Sequence, residues 1–273
     1  MKTLFTYRNI LCALLVQMLF ILGCAQTPYT ERQQLMLVSE PDEDRIGAAL
    51  FEKVKEEEKL STNPVENALI QRVGKRIAAA ADKPGYDWEF VLIKSDQSNA
   101  FALPGGKVAF YTGILPLTED EAGVAVVMGH EVAHALARHG AERLSQQQLL
   151  VIGQAALSIA LSGQNPAAAE ALMQAYGLGA QVGVLLPYSR THEAEADKIG
   201  LILMAKAGYD PRAAVDFWKR MAEKSGGKSP PELLSTHPSG RRRIKEIEAF
   251  MPVAMQYYEE ARGKKGPSPR LNR

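Results

Sequence analysis

His130-Glu131-Val132-Ala133-His134 is H-E-x-x-H, and it falls inside a segment that reads as helix. Residues four apart on a helix lie on one face. Two imidazoles at that spacing can hold one Zn²⁺, and the glutamate beside the first can reach a water on the ion. The five residues are therefore half of a site for metal-assisted hydrolysis. The small apolar residues from Ala122 to Met128 bury such a helix on most sides, so the imidazoles need partners other than solvent.

A catalytic zinc site takes three protein ligands and keeps one position open. A histidine six residues after His134 would complete one familiar arrangement, but that position is Gly140. His139 lies about 500° around a continuous helix from His134, off the metal face, and reads as structural or surface. Better placed is Ser189-Arg190-Thr191-His192-Glu193-Ala194-Glu195-Ala196-Asp197. Glu193 and Asp197 are four apart, so one carboxylate can bind the ion while the other fixes the tautomer of a ligand histidine. His192 and Glu195 are rivals for the ligand role, but four residues on from them stand Ala196 and Ile199 rather than a second carboxylate. The plain alternative is a solvated charged helix face.

Any ion must rely on histidine and carboxylate, because the only cysteines, Cys12 and Cys24, belong to the N-terminal segment. There Lys2 and Arg8 precede an apolar run from Ile10 to Leu22, and Ile21-Leu22-Gly23-Cys24 follows the pattern of a bacterial lipoprotein signal. The run is short for a membrane span. This predicts removal of residues 1–23, lipidation of Cys24 and anchoring to a membrane by lipid. Ala25 after the cysteine points to the periplasm and the outer membrane. A formal charge of +1 and the lack of a basic stripe with interleaved aromatics exclude a nucleic-acid partner.

These residues need elements to hold them. Residues 24–41 read as a polar tether and 42–262 as the folded domain. Helical periodicity runs from about Asp42 to Leu60, and a second helix capped by Asn63, with Pro64 and Glu66 behind it, runs to Ala81. Trp88–Ile93, Asn99–Leu103 and Lys107–Thr112 read as strands of a small sheet, antiparallel in part. Thr118 with Glu121 forms a capping box for the metal helix, which is expected to continue to at least Arg143. Leu149–Leu161 is too short to span a membrane and, with Asn165–Leu186, makes a helical hairpin packed on the core. A sharper alternative is a lipid-facing flap over the site. Thr191–Ala207 is a helix ended by Gly208, Asp210-Pro211 starts the next, and Ser239–Tyr258 is the last. Residues 263–273 read as a disordered tail.

Asn99-Ala100-Phe101-Ala102-Leu103-Pro104-Gly105-Gly106, the H-E-x-x-H, Ser189-Arg190 leading to Glu193-x-x-x-Asp197, and Thr236-His237-Pro238 ending at Arg243-Ile244 occur in that order in one family. Over roughly residues 31 to 255 the chain resembles metallopeptidase family 48, the group of the HtpX proteases and CAAX prenyl endopeptidases. With its lipid signal it is most similar to the periplasmic lipoprotein branch. The resemblance implies an α+β, mainly helical, zincin-like fold with a small sheet packed on the metal-binding helix. It implies one Zn²⁺ per chain held by His130, His134 and Glu193, with Glu131 as base. Asp197 would stand behind the ligands, His237 would be an active-site histidine and Arg243 a supporting residue. His237 suits either stabilising an oxyanion or capping the ion at rest. The expected activity is endopeptidase cleavage of unfolded or misassembled envelope polypeptides, outer-membrane proteins among them, gripped along an exposed strand at Asn99–Leu103. The alternative is an envelope lipoprotein chaperone or adaptor with little proteolysis.

Overall fold

The computed structural model describes residues 24–225, 233–237 and 240–263; the expected signal at 1–23 and the tail after 263 lie outside them. Where a bare tether was expected, β1 (Cys24–Gln26) and β2 (Gln33–Leu35) pair antiparallel, because local pairing satisfies backbone groups that a polar tether would leave to water. α1 (Glu40–Glu57) opens with Glu40, Asp42 and Glu43, which suit the positive end of its dipole. α2 (Pro64–Ala81) has the expected bounds: Asn63 Oδ1 accepts from the backbone N–H of Val65 (3.0 Å) and Glu66 (3.4 Å).

β3 (Glu89–Ile93), β4 (Ala100–Leu103) and β5 (Lys107–Tyr111) form one sheet in the order β3-β5-β4. β3 runs parallel to β5 and β4 antiparallel to it, so among the described strands β4 is an edge paired on one side only.

α3 (Leu115–Thr118) and α4 (Glu121–Leu136) correct two expectations. Thr118 is not the cap of the metal helix; its hydroxyl donates to Leu115 O (2.9 Å) at the end of α3. Glu119, with φ 63°, turns the chain between the helices, and Asp120 becomes the cap, its Oδ1 accepting from the Gly123 N–H at 2.8 Å. The metal helix also stops at Leu136 instead of running past Arg143. Arg138 takes φ 54°, a left-handed conformation that costs a non-glycine residue about 1–2 kcal/mol. Buried Glu43 holds it there, with Arg138 Nε donating to Glu43 Oε1 at 3.0 Å. α5 (His139–Ala160) then starts as a separate helix, followed by α6 (Pro166–Ala180), a π-helical turn at Gln181–Leu185 and α7 (Leu186–Lys206). α8 (Ala213–Ser225), the short α9 (Leu233–Thr236) and α10 (Arg241–Ala261) complete the order. α8 begins later than expected because Asp210 and Pro211 form a turn, with the Ala213 N–H donating to Asp210 O at 3.2 Å.

The described residues fall into two compact units, 40–140 with 186–263 and 24–39 with 141–185. In the larger, α4 packs along α7, against α2 and against α8. Val73 and Ile77 of α2, Val124 and Met128 of α4, Ile199 and Leu203 of α7 and Phe217 of α8 are fully buried between them. α4 and α7 meet glycine on glycine. A methyl on Gly129 would meet Gly200 O at 2.8 Å, and one on Gly200 would meet the His130 N at 2.9 Å. Only residues without a β-carbon let the two backbones come so close.

In the smaller unit, Arg32 binds Glu142 with both guanidinium nitrogens (2.9 and 2.7 Å), and the Leu37 N–H donates to Ser145 Oγ (2.9 Å). The α5–α6 hairpin forms, with Tyr176 Oη donating to Leu150 O at 2.9 Å. α6 buries none of its residues, and Val151, Ile159 and Leu178 are largely exposed.

Substituting Gly200 by alanine gains about 1 kcal/mol of helix propensity and loses about 1–3 kcal/mol to overpacking, so a net destabilisation of roughly 1 kcal/mol is expected in denaturant unfolding. A variant more stable than the parent would show that the helix contact is not tight.

Candidate metal centre

α4 presents His130 and His134 on the face turned to α7, and the Gly129–Gly200 contact brings Glu193 of α7 within reach of both. His130 Nε2 and His134 Nε2 are 3.2 Å apart. Glu193 Oε2 lies 3.5 Å from His130 Nε2 and Oε1 lies 3.4 Å from His134 Nε2. His237, just after α9, adds a fourth atom: its Nδ1 is 3.1 Å from His130 Nε2 and 2.9 Å from Glu193 Oε1. One ligand atom from each of the four lies within 4.8 Å of the others. A tetrahedral ion with bonds of about 2.0–2.1 Å would have ligand atoms about 3.3 Å apart. The donor set and spacing therefore fit a small divalent cation.

The surroundings are charged and largely buried. Asp197, one turn after Glu193, faces His130 Nδ1 at 3.0 Å and accepts from Arg243 Nη2 at 2.6 Å. Arg243, from α10, also donates through Nη1 to Glu193 Oε2 and to His237 O, both at 3.3 Å, and stacks 3.4 Å over the Trp218 ring. Burial works to raise the Glu193 carboxyl, but hydrogen bonds from His130, His134 and His237 hold it well below the usual carboxylate range. Burial likewise opposes Asp197, which Arg243 and His130 hold low. Burial and Arg243 disfavour a charged His130, yet Asp197 and Glu193 outweigh them and raise it to about 9. Burial pushes His134 down.

Glu131 points into the same space. Burial raises its carboxyl, against His237 and His130. Its Oε1 is buried with no hydrogen-bond partner, His237 Nε2 standing off at 3.6 Å. A buried carboxylate oxygen without a donor is costly, and it lies where a proton acceptor beside the ion would be needed.

The structure thus brings together all the expected site residues of the domain: His130, Glu131, His134, Glu193, Asp197, His237 and Arg243. Cys24, in the smaller unit, stands in β1 opposite Leu35 of β2. Two further residues stand behind the cluster. His139, expected to be structural or surface, is the structural residue: it is buried, with its Nδ1 2.9 Å from His134 Nδ1. Glu195, set aside as a ligand, is 3.0 Å from His139 Nε2. The alternation of Glu193, Glu195 and Asp197 on one stretch of helix was the available signal.

Residues 64–251 match the profile of Peptidase family M48. The chain belongs to Peptidase family M48. It is 38% identical over 234 residues to the mitochondrial metalloendopeptidase OMA1 of Schizosaccharomyces pombe, covering 83% of this chain and 66% of that protein. Identity to mitochondrial metalloendopeptidase OMA1 of Saccharomyces cerevisiae is 33% over 255 residues, 86% of this chain and 71% of that protein. The beta-barrel assembly-enhancing protease of Escherichia coli is 30% identical over 227 residues, 80% of this chain but 46% of that protein. Membership and these relatives make the M48 chain a metalloendopeptidase, and its mainly helical fold with a small sheet is of the zincin-like kind. They do not single out the lipoprotein branch. They also overturn the periplasmic, lipid-anchored outer-membrane address, since the OMA1 relatives matched over most of this chain are mitochondrial. A basic start followed by an acid-free apolar run is a charge pattern, and that pattern does not carry one address.

An ion that binds only the folded M48 chain raises its melting temperature by mass action. Chelation should lower the melting temperature and added divalent metal restore it, whereas Glu193→Gln should show little restoration. Equal shifts in both proteins would remove Glu193 from the ligand set.

Proposed function

We propose that this M48 chain is a zinc-dependent endopeptidase acting on unfolded or misassembled polypeptides, with one Zn²⁺ held by His130, His134 and Glu193. The observation that carries the reading is the buried, unpartnered Glu131 Oε1 beside four clustered ligand atoms. Zinc with imidazole and carboxylate ligands would supply Lewis acidity, polarising a peptide carbonyl and acidifying water. The chain's own residues do the rest. Glu131, raised by burial, is tuned to take a proton at Oε1 and hand it to the leaving amine. Asp197 holds His130 at Nδ1, and Arg243 ties Asp197, Glu193 and the His237 carbonyl into one frame.

His237 has two uses. With Nδ1 2.9 Å from Glu193 and 3.1 Å from His130, it occupies the place of a fourth ligand, which favours a capped resting arrangement. Swung out, the same imidazole can donate to a developing oxyanion. In activity assays, His237→Ala separates the two: a rise in proteolysis indicates capping, and a loss of about 10²–10³-fold indicates oxyanion stabilisation. No change would discard both roles.

Substrate binding by strand addition is supported by β4, whose described strand partner is β5 alone. An extended client paired there would be held by its main chain, with loose side-chain demands. The E. coli relative is named for β-barrel assembly, which supports incompletely assembled β-barrels as one client class. A chaperone or adaptor that kept the fold for shape would have no need of a buried base. Glu131→Gln should keep metal binding and abolish casein digestion; if client handling in cells survived that substitution, the adaptor reading would replace this one.

A further inference from the structure

Each histidine of the H-E-x-x-H turns its Nε2 toward the ligand cluster and its Nδ1 away from it. Behind His130 the Nδ1 meets a carboxylate directly, Asp197 at 3.0 Å. Behind His134 the Nδ1 meets another imidazole, His139 Nδ1 at 2.9 Å, whose far nitrogen, Nε2, is 3.0 Å from Glu195 Oε2. His139 and Glu195 are both buried. His192, also buried, lies flat against the His139 ring, with centroids 4.2 Å apart and planes within 13°, which fixes the plane of that ring.

The protons in this row are determined by the chemistry. A neutral imidazole carries one N–H and one lone pair. If His134 gives its Nε2 lone pair to an ion, its proton is on Nδ1, and His139 must accept it at Nδ1. The proton of His139 is then on Nε2, where the Glu195 carboxylate accepts it. The other tautomer of His139 would set two N–H groups head to head at 2.9 Å and turn a lone pair on the carboxylate at 3.0 Å, unfavourable at both ends. Glu195 therefore selects the one tautomer of His139 that supports His134 as a ligand.

The break at Arg138 is what permits it. On an unbroken helix His139 would face away from His134; the left-handed turn at φ 54° brings its ring back.

We infer that His139 and Glu195 are positioning residues for metal binding, orienting His134 through an imidazole relay as Asp197 orients His130 directly. This rests on the proposal that His130, His134 and Glu193 hold the ion.

The test is the zinc affinity of the full chain, measured by competition with a chromophoric chelator, beside the melting temperatures of the metal-free proteins. His139→Phe keeps a flat ring but removes both nitrogens; His139→Gln keeps an acceptor for His134 and a donor for Glu195. The expected result is a 10–100-fold loss of zinc affinity for His139→Phe, with His139→Gln within about threefold of the parent. Glu195→Met should weaken binding in the parent and add nothing in the His139→Phe background, since Glu195 acts through His139. Parent-like affinity in His139→Phe, equal losses in the two His139 variants, or full additivity with Glu195→Met would each overturn the relay. If the parent itself bound no zinc, the metal reading would fall first, an outcome distinct from these.

Discussion

The metal centre depends on the contact of Gly129 with Gly200. Packed helices usually keep their axes about 8–10 Å apart, a distance set by the side chains between them. Here there are none at the crossing, and the His130 backbone nitrogen is within 2.9 Å of where a β-carbon on Gly200 would stand. Glycine inside a helix costs roughly 0.5–1 kcal/mol relative to alanine, so two of them weaken α4 and α7 locally. In exchange, carboxylates one and two turns before Gly200 can touch imidazoles one and five residues after Gly129. A glutamate spans only a few ångströms; without the close crossing Glu193 would not reach both histidines.

The second constraint is that charge this deep must be shared. Glu193 lies among three imidazoles, and Asp197 lies between His130 and Arg243. Arg243 in turn is sandwiched against Trp218 of α8. Removing any member leaves the others buried and uncompensated, which is costlier than the net worth of any single pair. The centre is consequently a cooperative unit, assembled from α4, α7 and α10 together with the short segment that ends at His237.

Much of this was legible in the sequence because it is local. The H-E-x-x-H spacing, the Glu193–Asp197 spacing, the Asn63 cap and the three strands all follow from periods of four or two and from capping chemistry. What escaped notice is nonlocal. Arg138 ends the metal helix without a glycine or proline to announce it, because the conformation is held by Glu43, 95 residues earlier in the chain. His139 was placed off the metal face on the assumption of a continuous helix, and the same break invalidates that assumption. Glu195 was judged by the residue four positions on, whereas its partner is His139 on α5, 56 residues away. The cap at Asp120 lost out to Thr118 in sequence because the capping-box spacing is satisfied on paper, while Glu119 spends that stretch reversing the chain.

α9 is only four residues long, yet it ties two distant parts of the domain. The Leu233 N–H donates to Ser98 O (3.1 Å), two residues before β4, and the His237 N–H donates to Leu233 O (2.8 Å). The backbone that carries His237 is thereby moored, through two main-chain bonds, to the entrance of the sheet's open edge. Where Ser98 holds Leu233 therefore helps to set where the His237 backbone lies, so the approach to β4 is part of what fixes the spacing of the ligand atoms.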